Sequence, residues 1–115
     1  MSNIVHVDNS EFFRKLMKTF LSEGGHQAES FECGEDALNK VNNGNTDIVI
    51  MGLEIADMSG EDLINRLAAS FPKIPVIVVT SSDYDERSKQ LVGLGVKAVI
   101  GKSGNWKEEL ENLLK

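Results

Sequence analysis

The chain of 115 residues has a single cysteine, Cys33, and is short of basic residues, with 12 Lys and Arg against 18 Asp and Glu for a formal charge of −6. One thiol excludes an intramolecular disulfide and any cysteine-based zinc site, and it fits a reducing compartment. The basic residues are scattered, so no cationic surface is offered to nucleic acid or to an anionic membrane. No apolar run approaches membrane-spanning length, and MSNIVHVDNS has no basic stretch ahead of a long apolar one. Neither a membrane anchor nor a signal peptide is expected, and a cytoplasmic protein is. No glycine-rich phosphate loop follows the first apolar run, where the sequence reads DNSEFF (8–13), and this disfavours a small ligand-binding enzyme.

What is present is ordinary for a globular domain, 41% hydrophobic and 26% charged. Short apolar runs alternate with segments of helical period, the pattern of βα units wound on a parallel sheet. Ile4 to Val7 is the first run. From about Ser10 a helix presents Phe13, Leu16, Met17, Phe20 and Leu21 on one face and stops at Gly24-Gly25. His26 to Phe31 alternates and is more polar, as at a sheet edge, and Gly34 to about Gly44 is a short helix burying Ala37, Leu38 and Val41. Ile48 to Met51 is apolar on both faces and reads as a central strand covered on each side.

Ser59, with Asp62 behind it, caps a helix carrying Leu63, Ile64, Leu67, Ala68 and Phe71, which ends before Pro72 and Pro75. Val76 to Val79 is β-branched throughout and leads to Thr80 as a second central strand. Residues 84–94 form a largely polar helix ended by Gly95, and Val96 to Ile100 is the last strand. Asn105, with Glu108, caps a final helix presenting Trp106, Leu110, Leu113 and Leu114. Strict alternation of five strands and five helices predicts one domain, residues 1–115, of flavodoxin-like α/β class. Its parallel sheet is doubly wound in the order 2-1-3-4-5 with helices on both faces.

Such sheets keep their ligand crevice at the carboxyl ends of the strands, which brings together Asp8-Asn9, Gly52, Thr80 and Lys102. Gly52 sits where a strand-ending carboxylate would be expected and has no side chain, so no nucleophile stands at that point. A turn glycine with positive φ is the alternative reading of Gly52. Asp8 and Thr80 taken singly are equally readable as crevice groups that bond neighbouring backbone.

Over its whole length the chain resembles the receiver domain of two-component response regulators (CheY-like). The segments that carry the resemblance are IVHVDNS (4–10), DIVIMGLEIADMSGEDL (47–63), PVIVVTSSD (75–83) and GVKAVIGKS (95–103). The resemblance implies a phosphorelay module in which two acids after the first strand and an Asp after the third hold Mg²⁺. That Asp accepts a phosphoryl group from a histidine kinase, and a Thr or Ser and a Lys bind the phosphoryl oxygens. Asp8 matches the first acid, Asn9 the second, Gly52 the acceptor, Thr80 the hydroxyl and Lys102 the lysine. Glu54 falls where the family uses a backbone carbonyl on the metal.

Asn9 and Gly52 depart from the chemistry. Mg²⁺ favours an octahedron of oxygens that includes carboxylates, and here Asp8 alone supplies one, so metal binding is expected to be weak or absent, with Asp8 and Glu54 as the candidate ligands. Ala56 and Ser103 stand where the family has proline, and Val99 replaces a switching aromatic. A pseudo-receiver, acting without phosphorylation through a protein partner, is therefore expected: a histidine kinase, an output domain or another signalling protein. The alternative is a conventional receiver whose acceptor has been replaced by Gly52, or which uses Glu54 or Asp57 instead. With Asp8 facing Lys102, a direct or water-bridged ion pair is expected in the place of the metal. Tyr84, Val99 and Trp106 mark the face the family uses for partners, although Trp106 reads first as packing against Leu110. Cys33, His6 and His26 read as structural or surface residues.

Overall fold

A computed structural model describes residues 2–81 and 85–115, with the backbone alone at 85–88. The elements alternate without exception: β1 (Asn3–Val7), α1 (Glu11–Glu23), β2 (Gln27–Phe31), α2 (Gly34–Asn42), β3 (Ile48–Met51), α3 (Gly60–Ser70), β4 (Val76–Thr80), α4 (Asp85–Gly93), β5 (Ala98–Gly101) and α5 (Trp106–Leu114). The five strands form one parallel sheet in the order β2-β1-β3-β4-β5, with Val7 opposite both Phe31 and Met51 and Thr80 opposite Gly101. This is the expected doubly wound, flavodoxin-like arrangement.

Alternation along the strands divides the core into two layers. Val5, Val7, Val49, Met51, Val76 and Val78 pack under α2, α3 and α4, against Ala37, Val41, Leu63, Ile64, Leu67 and Leu91. Ile4, Ile50, Ile77, Val79 and Ile100 pack on the other side under α1 and α5, against Phe13, Met17, Leu21, Trp106 and Leu110. Each fully buried aliphatic contributes about 1.5–3 kcal/mol of transfer free energy, so two continuous layers hold the sheet between its helices.

Local chemistry sets most element ends. The Ser10 hydroxyl accepts Phe13 N–H at 3.2 Å and the Ser59 hydroxyl accepts Asp62 N–H at 3.1 Å, each satisfying a first-turn donor. Gly25 and Gly95 adopt φ of +87° and +102° to turn the chain after α1 and α4.

Several element ends differ from the sequence reading. β2 starts at Gln27, because His26 N–H turns back to the Leu21 carbonyl. α2 stops at Asn42, because Gly44 and Asn45 take positive φ and cannot continue a right-handed helix. Val96 also bonds back to the Leu91 carbonyl, so β5 begins only at Ala98. At α5 the Asn105 side chain caps no backbone N–H and donates instead to the Glu108 carboxylate.

Candidate functional site

Asp8, Gly52 and Lys102 each lie two residues beyond a strand residue or strand position on the α1/α5 side of the sheet, and they converge there. The Lys102 ammonium lies 2.8 Å from Asp8 Oδ2, with the two side chains 20% and 5% exposed. Asp8 Oδ1 accepts the Ser10 N–H at 2.8 Å, and its carbonyl accepts Arg14 Nη1 at 2.7 Å. The ammonium meets Oδ2 as a charge contact without the alignment of a hydrogen bond, since that oxygen is buried with no hydrogen-bond partner among the described residues. The Lys102 ammonium also sits 4.1 Å from the centroid of the Phe13 ring. Charge and ring together fix a long side chain that would otherwise be free.

Gly52 makes this arrangement possible. Its φ is not positive, so its conformation does not require glycine. What disfavours a side chain here is the placement of Asp8: a Cβ placed on Gly52 would lie 2.8 Å from Asp8 Oδ2 and 3.2 Å from Asp8 Cγ. The aspartate carboxylate occupies the room that a side chain at position 52 would need.

The other sequence-selected residues fall as follows. Asn9 is exposed and its N–H donates to the Glu54 carbonyl at 3.1 Å, the oxygen the resemblance assigns to a metal. Thr80 ends β4, is 3% exposed, and its carbonyl accepts Lys102 N–H at 2.8 Å. Asp8, Asn9, Gly52, Glu54, Thr80 and Lys102 share one open crevice of about 510 Å³, with Phe12, Leu16 and Val79 on its apolar wall. A depression of about 580 Å³ between His26 and Lys40 lies at the amino ends of β1 and β2, away from these groups.

Val99 is half-buried on the α2–α4 side of the sheet and takes no part in the crevice. Trp106 is 7% exposed, its ring 5.1 Å from Phe13 and 5.3 Å from Phe20. It packs as a core aromatic that also lines the crevice; Tyr84 lies outside the described residues. Asp57, an alternative acceptor by sequence, has both oxygens occupied. Oδ1 accepts Gly34 N–H at 2.7 Å and Oδ2 accepts Glu35 N–H at 3.1 Å, which ties the β3–α3 loop to the amino end of α2. These backbone N–H bonds hold its carboxyl below the usual carboxylate range.

His6, one strand position below Asp8 on the same side, is fully buried. Its Nδ1 lies 3.1 Å from Ser30 Oγ, and Nε2 has no hydrogen-bond partner among the described residues. Burial pushes its pKa down from 6.5 to about 4; the Asp8 charge opposes this, and Lys102 and Arg14 reinforce it. The imidazole is neutral at physiological pH. The roles of Phe12, Arg14 and Asp57 were not read from sequence, although Phe12 falls outside the apolar stripe of α1, a signal that it faces solvent.

This donor set does not suit Mg²⁺. The buried crevice carboxylate, Asp8, is turned onto Lys102 and Ser10 N–H, the Glu54 carbonyl is bonded to Asn9 N–H while its side chain is exposed, and positions 9 and 52 supply no anion. Among the described residues no group of three or more His, Cys, Asp and Glu is placed to hold a metal ion.

A doubly wound sheet with a polar crevice at the carboxyl ends of β1, β3, β4 and β5 defines the class of protein. The response regulator receiver domain model matches residues 4–115, and the chain belongs to that family. Over 70% of its length it is 32% identical to a protein-glutamate methylesterase/protein-glutamine glutaminase of Bacillus licheniformis, of which it covers 23%. Over 89% of its length it is 26% identical to the virulence transcriptional regulatory protein PhoP of Salmonella typhimurium, of which it covers 46%. The chain thus spans less than half of these relatives.

Among solved structures, a CheY-like response regulator receiver domain protein from Methanospirillum hungatei superposes with a TM-score of 0.88 at 24% identity, covering 99% of this chain and 91% of that one. The chemotaxis response regulator CheY4 of Vibrio cholerae gives 0.88 at 22%, covering 99% and 96%. These likenesses show the fold. No helix among the described residues is long and apolar enough to cross a membrane.

Proposed function

We propose that this two-component receiver domain signals without taking a phosphoryl group, as a pseudo-receiver that recognises a protein partner in one standing conformation. The observation that carries the reading is the Asp8 carboxylate, drawn over Gly52 onto Lys102. Phosphoryl transfer depends on a positioned nucleophile and on neutralisation of charge, and neither is available where the acceptor would stand. A site that gains no ligand has nothing with which to shift a conformational equilibrium, so partner binding is constitutive. The partner is a histidine kinase, an output domain or another signalling protein of the cytoplasm, and residues 1–115 act as one receiver-like module. Nucleic acid is not a partner of this acidic domain, and Mg²⁺ binds weakly or not at all.

The test is mass spectrometry after treatment with acetyl phosphate and Mg²⁺. The unaltered chain stays unmodified, whereas Gly52→Asp acquires one phosphoryl group. Modification of the unaltered chain, at Glu54 or elsewhere, returns the domain to the ordinary phospho-accepting receivers.

A further inference from the structure

We infer that the mouth of the crevice docks a basic side chain, an arginine in the first place, presented by a protein partner. The inference rests on the reading that the crevice no longer receives a phosphoryl group, and it names the chemistry of what comes instead.

Three observations lead there. Lys102, the cation that would face an incoming anion, is already neutralised by Asp8 at 2.8 Å and covered by the Phe13 ring. An anionic ligand would have to displace a half-buried ion pair, so anion recognition is closed. Glu54 lines the same crevice, is exposed, and makes no side-chain ion pair or hydrogen bond among the described residues, whereas Glu11, Glu29 and Glu35 each have a cationic neighbour. With Asp8 and Lys102 cancelling, Glu54 leaves the crevice lining, among the described residues, with a net negative charge. Finally, Phe12 lines this crevice and is 76% exposed, the most exposed large apolar side chain among the described residues.

The α1 stripe explains why Phe13 is buried, but nothing in the fold requires an aromatic at position 12. An open aromatic face and an unpaired carboxylate on one crevice match a guanidinium. Its plane stacks on the ring and its fork pairs with the carboxylate. Arginine and aromatic residues are also the side chains that most often anchor interfaces. The chain's overall charge of −6 adds long-range attraction for such a partner.

The experiment is an NMR titration of the isotope-labelled full chain with three short capped peptides, identical except for a central Arg, Glu or phosphoserine. The Arg peptide produces saturable shifts at the amides of Phe12, Glu54 and their neighbours. Binding weakens at least threefold in Glu54→Gln and in Phe12→Ala, and falls as salt is raised. The Glu and phosphoserine peptides leave those amides unmoved. Both altered residues are exposed, and an unchanged thermal melt confirms that each variant folds. Shifts that are absent with Arg, equal with all three peptides, or indifferent to both substitutions overturn the inference. Preferential binding of the phosphoserine peptide overturns it in favour of an anion site. Acetyl phosphate labelling, measured separately, reports on the underlying reading, so the two can fail independently.

Discussion

The carboxylate of Asp8 and the missing side chain of Gly52 occupy the same space, Oδ2 lying 2.8 Å from where a Cβ on residue 52 would be. Gly52 therefore does more than omit an acceptor. It lets the first crevice acid cross to Lys102, and those two charges cancel.

Gly52→Ala tests this directly. The added methyl has no backbone strain to overcome, so any cost comes from pushing Asp8 off Lys102, and Asp8 is short and tethered through Oδ1 to Ser10 N–H. A loss of about 1–2 kcal/mol is expected by chemical denaturation. In an Asp8→Ala background the same change should turn neutral or gain about 0.5 kcal/mol, because alanine restricts the unfolded chain more than glycine does. Equal effects in the two backgrounds would show that Gly52 and Asp8 do not compete for space.

The ion pair itself is asymmetric. Removing Lys102 as Lys102→Met strands a carboxylate whose side chain is 5% exposed, at a cost of about 2 kcal/mol. Removing both charges in Asp8→Ala/Lys102→Met should recover most of that loss, since the pair contributes only about 1 kcal/mol net once desolvation is counted. Urea midpoints of the two single variants and the double variant decide it, and strictly additive losses would contradict the coupling.

Asp57 and α2 give a different kind of prediction. The carboxylate receives the N–H groups of Gly34 and Glu35, the first two residues of α2, from a loop 22–23 residues away in sequence. It acts as an N-terminal cap for a helix whose own cap residue, Cys33, makes no side-chain bond to the backbone. Asp57→Ala should raise hydrogen exchange at the Gly34 and Glu35 amides and in the loop 53–58, leaving β1 and β4 protected. Unchanged exchange at those two amides would exclude the clamp.

The residues that were legible in the sequence are those governed by local chemistry. Ser10 and Ser59 cap their helices because a hydroxyl reaches an N–H three residues away, whatever the rest of the fold does. The layer assignment of β3 and β4 followed from unbroken apolar runs, and the meeting of Asp8 with Lys102 from opposite charges at the carboxyl ends of β1 and β5, which share the crevice. What stayed hidden depends on tertiary placement. Asp57 finds α2 across a loop, and Val96 is diverted to the end of α4 before β5 can begin. The carboxylate above Gly52 was invisible for the same reason. Sequence shows that a side chain is missing and says nothing of which neighbour moves into the gap.

His6 makes the stability of the domain depend on pH in a definite direction. In the folded chain burial holds its pKa at about 4, whereas an exposed imidazole in the unfolded chain titrates near 6.5. As pH falls through this interval the unfolded chain takes up the proton first, so acid draws the equilibrium toward unfolding. The contribution is fully present above about pH 6.5 and is lost progressively down to about pH 4, amounting to about 3 kcal/mol. His6→Leu removes the titrating group while keeping the site apolar, and the Ser30 hydroxyl loses only its contact with Nδ1. Urea midpoints measured between pH 7 and pH 4.5 should fall steeply for the unaltered chain and distinctly less for the variant. Parallel pH profiles for the two proteins would place the acid sensitivity in the carboxylates and remove His6 from the account.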